Sequence, residues 1–80
     1  MKKLELFYKS SCPFCIKVLA FIEEKEIEVE LLDVTSSKEI SNRLIQEGGK
    51  RQVPCLMIDG KPLYESDAII EWLSQPSSSL

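Results

Sequence analysis

The chain contains no histidine, and that absence removes two chemistries at once. A cysteine nucleophile here has no imidazole to serve as its general base, so thiol chemistry must rest on a lowered thiol pKa. A structural zinc site normally draws four ligands from Cys and His, and only Cys12, Cys15 and Cys55 are on offer, so no metal is expected. Three cysteines are also an odd number, which suits a reducing cytoplasm better than a disulfide-stapled secreted scaffold. Glycine is scarce, at 3 in 80 residues, while 44% of the chain is hydrophobic, a balance that excludes disorder. Basic runs are missing too: 10 Lys and Arg face 13 Asp and Glu, and a net charge of −3 gives nucleic acid nothing to hold. No apolar run is long enough to cross a bilayer, and the stretch from Met1 to Lys9 is broken by Glu5 and Lys9, so neither export nor membrane insertion is expected. Residues 1–80 are read as one small domain, with 75–80 as a flexible tail.

The apolar pattern alternates between two periods. Leu4 and Leu6 flank Glu5 and lead into Phe7 and Tyr8, which predicts a first strand over Lys3 to Tyr8. Pro13 suits a first helical turn, and Phe14, Val18, Phe21 and Ile22 then share one side of a helix expected to run to Lys25. Val29 to Val34 predicts a second strand, whose adjacent Leu31 and Leu32 suggest burial on both faces. Ser36 and Glu39 have capping-box spacing before a stripe of Ile40, Leu44 and Ile45 that stops at Gly48-Gly49. Cys55 to Ile58 and Lys61 to Tyr64 flank Asp59-Gly60, a hairpin signal, with Pro62 marking an edge strand. Ser66 is the expected N-cap of a last helix carrying Ala68, Ile69, Trp72 and Leu73. The resulting order, βαβαββα, predicts an α/β fold with a four-stranded mixed sheet flanked by helices.

Chemistry concentrates in Cys12-Pro13-Phe14-Cys15 at the start of the first helix. Backbone N–H groups and the helix dipole favour a thiolate there, so Cys12 is the attacking thiol. Cys15, one turn further in, is the resolving thiol with the higher pKa. Lys9 is either a solvated strand-end lysine or a cation that favours the Cys12 thiolate. Glu65, Ser66 and Asp67 serve helix capping, and the same N-terminus can accept a carboxylate. Cys55 is read as a buried strand residue, with a thiol near Cys12 as the alternative.

Lys9, the CPFC segment, Gly48-Gly49, Val53-Pro54 and Asp67 occur in the order and spacing of the glutaredoxins, which the chain resembles over nearly its whole length. That resemblance implies the thioredoxin-like fold, a cis bond before Pro54, and glutathione as co-substrate. It assigns the glycyl carboxylate of glutathione to Lys9, strand-like pairing to the backbone of Val53, and the γ-glutamyl zwitterion to Ser66 with Asp67 or Glu65. Phe14 stands where tyrosine is more usual, keeping an aromatic surface beside the thiols. Leu63-Tyr64-Glu65-Ser66 replaces the Gly-Gly pair of many glutaredoxins, and with Ala68-Ile69 and Trp72-Leu73 is similar to the N-terminal domain of glutathione S-transferases. No second, all-helical domain is expected, so transferase activity is not.

The function these features imply is a cytoplasmic, monomeric, glutathione-dependent thiol–disulfide oxidoreductase. It would act on disulfide-containing or glutathionylated proteins through Cys12 and Cys15. The alternatives are a redoxin reduced by a thioredoxin reductase, an iron–sulfur carrier using Cys12 and glutathione, and a binding module without chemistry.

Overall fold

A computed structural model describes residues 3–75. The elements run β1 (Leu4–Tyr8), α1 (Pro13–Glu24), β2 (Glu30–Asp33), α2 (Lys38–Gly48), β3 (Cys55–Ile58), β4 (Lys61–Tyr64) and α3 (Ser66–Ser74). The strands form one mixed sheet in the order β2-β1-β3-β4. β1 and β2 are parallel, with Leu6 opposite Leu31, while β1–β3 and β3–β4 are antiparallel, with Leu6 opposite Leu56 and Leu56 opposite Leu63. The expected order of elements and mixed sheet are both present. Of the tail read over 75–80, residues 76–80 lie outside the described residues.

Strand alternation divides the core into two layers. Leu6 and Leu56 pack with Val18 and Ile22 of α1 and with Ile69 and Leu73 of α3. On the opposite face Phe7, Cys55 and Met57 pack with Leu44 of α2 and with Val34. Glu5 also faces this second layer and is buried, yet its carboxylate accepts from Arg43 Nη2 at 3.2 Å on both oxygens. Arg43 in turn lies over the Phe7 ring, 5.4 Å from its centroid, and donates to Glu47 at 2.9 Å. A buried carboxylate is tolerable only with such a partner.

Four local expectations are corrected. β2 is an edge strand, and Leu31 is 48% exposed, because the sheet ends there; a run of adjacent leucines does not tell an edge from a centre. Ser37, not Ser36, caps α2 by accepting from Glu39 N–H at 3.1 Å, while the Ser36 hydroxyl donates to Asp33 C=O in the preceding turn. The N-cap of α3 is Glu65, whose C=O takes the first helical bond from Ile69 N–H, and Ser66 is already helical. Phe14 is 63% exposed because the buried face of α1 is the one that carries Cys15, Val18 and Ile22, and Phe14 lies off it. Elsewhere the turn chemistry acts as read: Asp59 and Gly60 both have positive φ, as a tight hairpin requires, and Gly49 ends α2 at φ 83°.

Candidate redox site

Cys12 is the N-cap of α1, half-buried with extended backbone, and Cys15 sits one turn inside with no exposed surface. The backbone of Lys9 brackets the pair. Its C=O accepts from Cys12 N–H at 3.0 Å, and its N–H donates to Cys15 Sγ at 3.4 Å. Partial burial by itself would push the Cys12 thiol up. The N–H groups of Cys15 and Phe14, the Cys15 thiol and the Lys9 ammonium together outweigh it, and the Cys12 pKa is lowered. Burial dominates at Cys15, and with the neighbouring Cys12 charge it pushes that thiol up to about 11 despite the Lys9 N–H. One helix turn therefore holds a poised nucleophile beside a thiol that stays protonated near neutrality.

Beside the dithiol lies a cleft of about 260 Å³ lined by Phe14, Gln52, Val53, Pro54, Glu65, Ser66 and Asp67. Six of these seven are residues singled out from the sequence. They arrive from three separate places: the first turn of α1, the segment between α2 and β3, and the β4–α3 junction. The Val53-Pro54 peptide is cis, as expected. Glu65 adopts φ 74° and ψ 127°, a conformation that glycine takes freely and other residues take only under strain. Lys9 is exposed and lies outside the cleft lining, so its charge reaches the site through Cys12.

Two residues were missed in the sequence. Gln52 lines the cleft and was legible only as the neighbour of Val53. Lys17 Nζ lies 2.6 Å from Asp67 Oδ1, joining α1 to the start of α3 across fifty positions of sequence, which no local pattern announces. Cys55 is settled as a core residue: it is fully buried on the α2 face of the sheet, and burial raises its pKa.

The glutaredoxin family model matches residues 4–63, from the first strand through the hairpin. The chain belongs to the glutaredoxin family. Glutaredoxin 1 of Rickettsia conorii is 34% identical over 64 residues, covering 78% of this chain and 63% of that protein, so the chain spans less than two thirds of this relative. Among solved structures, the thioredoxin-like protein BC3987 superposes with a TM-score of 0.77 at 29% identity, over 91% of this chain and 97% of that one. A glutathione S-transferase from Methylobacillus flagellatus, solved with glutathione bound, superposes with a TM-score of 0.74 at 29% identity, over 92% of this chain and 38% of that one. Similarity to both groups agrees with the mixed character of the glutaredoxin's Leu63–Asp67 stretch. Among the described residues no helix is long and apolar enough to cross a membrane.

Proposed function

We propose that this glutaredoxin is a glutathione-dependent thiol–disulfide oxidoreductase. The observation that carries the reading is the juxtaposition of a low-pKa Cys12 with a cleft built from Phe14, Val53, Pro54, Glu65, Ser66 and Asp67. The Cys12 thiolate attacks the glutathione sulfur of a glutathionylated protein; that S–S bond breaks, the protein thiolate leaves and takes up a proton, and a Cys12–glutathione disulfide remains. A second glutathione, as thiolate, attacks the bound glutathione sulfur and releases oxidised glutathione and Cys12 thiolate. With a protein disulfide, Cys12 forms a mixed disulfide with the substrate, and Cys15, on losing its proton, displaces the second substrate thiol. Two glutathiones then reduce the Cys12–Cys15 bond.

Each part of the tripeptide has a complement. The backbone of Val53 pairs with its extended middle, and the N-terminus of α3, with Ser66 as its first residue, receives the α-carboxylate. Asp67 takes the adjacent ammonium in competition with Lys17, and Lys9 faces the glycyl carboxylate beside Cys12. Partners are thus glutathione and glutathionylated or disulfide-bearing proteins in a reducing compartment, met by a monomer.

The test is turnover of a glutathionylated peptide by the wild type, Cys12→Ser and Cys15→Ser, with glutathione and glutathione reductase recycling. Cys15→Ser should retain deglutathionylation while losing protein-disulfide reduction. Retained turnover in Cys12→Ser, or full turnover with a thioredoxin reductase in place of glutathione, overturns the reading.

A further inference from the structure

Gly48 poses a question that helix geometry does not answer. It is the last residue of α2 and is absent from the positive-φ positions; that role belongs to Gly49. A glycine inside a helix costs about 1 kcal/mol relative to alanine, so its place needs another cause. The cause is Tyr64: a methyl group on Gly48 would collide with the phenol oxygen. That oxygen donates to Gly48 C=O at 2.8 Å and lies 3.3 Å from Lys50 C=O, and the Lys50 ammonium sits over the ring, 4.6 Å from its centroid. The phenol thereby satisfies the Gly48 carbonyl, which the end of the helix leaves without an intrahelical partner, and reaches the Lys50 carbonyl just beyond the cap.

These contacts join the two walls of the cleft. Tyr64 ends β4 and is followed directly by Glu65, Ser66 and Asp67, while Gly48 and Lys50 lead through Arg51 into Gln52, Val53 and Pro54. We propose that Tyr64 is a positioning residue, whose hydroxyl, seated on the glycine at position 48, fixes the separation between the Val53 segment and the α3 N-terminus and so sets recognition of the glutathionyl group. The proposal rests on the glutathione reading above. The hydroxyl's partners are the two carbonyls at the α2 end and the buried Cys55 thiol of β3, and none is on the Cys12–Cys15 turn, so its removal acts on binding and not on the Cys12 thiolate.

The experiment compares wild type with Tyr64→Phe on one peptide carrying either a glutathione or a cysteamine mixed disulfide, with Cys12 ionisation followed by thiolate absorbance. Loss of a single anchoring hydrogen bond predicts a rise in KM of about two- to tenfold for the glutathionylated peptide. The kcat, the Cys12 titration and turnover of the cysteamine disulfide should stay at wild-type levels. Gly48→Ala, which displaces the same hydroxyl without altering the ring, should move KM in the same direction, with thermal melts confirming that both variants fold. An unchanged KM in Tyr64→Phe, an equal loss on both disulfides, or a shifted Cys12 titration overturns the proposal. A wild type indifferent to the two disulfides overturns the glutathione reading itself and the Tyr64 assignment with it.

Discussion

In the reduced protein, Cys12 and Cys15 should differ in alkylation rate by an amount the structure bounds from below. Cys15 is held at about 11, so at pH 7 only about one molecule in 10,000 carries its thiolate. Cys12 is lowered from 9.0, so at least about one in 100 is ionised, a hundredfold advantage or more. A thiolate of lower pKa is intrinsically less nucleophilic, and with a Brønsted slope near 0.5 a two-unit separation returns about tenfold of that advantage. The remainder is at least about tenfold in favour of Cys12, before the complete burial of Cys15 is counted. The perturbation is pH, and the assay is a brief pulse of iodoacetamide between pH 5 and 10, followed by peptide mass spectrometry of each cysteine. The sign follows from the lowered pKa: Cys12 labelling climbs with pH through a midpoint below 9.0 and levels off by the top of the range, whereas Cys15 is still climbing there. Buried Cys55, with its raised pKa, should remain unlabelled and serves as the folded-state control. Comparable labelling of Cys12 and Cys15 at pH 7, or a Cys12 rate that has not levelled by pH 10, refutes the electrostatic account of the site.

Two further outcomes test the parts around it. Arg43→Met leaves the buried Glu5 carboxylate with Lys3, at 3.9 Å, as its remaining cation among the described residues; because Arg43 is partly exposed, the loss should be about 1–3 kcal/mol in urea unfolding, below that of a fully buried pair. Glu5→Leu combined with Arg43→Met should recover much of it, and an additive loss in the double variant contradicts the argument. Lys17→Ala removes an exposed ion pair worth less than about 1 kcal/mol, so stability should hardly change. By releasing Asp67 it should lower KM for a glutathionylated peptide by up to about fivefold, and a raised KM would show that Lys17 helps the ligand instead.

Local chemistry made much of this protein readable. The hairpin at Asp59-Gly60 and the helix stop at Gly49 follow from which residues tolerate positive φ, and the α1 start follows from proline's harmlessness in a first turn. The contrast between a lowered Cys12 pKa and a raised Cys15 pKa was legible for the same reason: one lies at a helix end and the other a turn inside. Capping was less readable, because Ser36 and Ser37 both offer a hydroxyl and the choice fell to the Asp33 turn that occupies Ser36. At α3 the strained Glu65 moved the cap back one residue from the serine that local preference favours.

What the sequence determined alone was the set of elements, their order, and the reactive turn, because each depends on neighbours a few residues apart. Only the tertiary structure decided that β2 is an edge, that Cys55 faces away from the dithiol, that Lys17 holds Asp67, and that Tyr64 reaches Gly48. Each of those facts joins residues from different elements, and such pairings are fixed by how the sheet stacks its helices, a long-range outcome that no local spacing records.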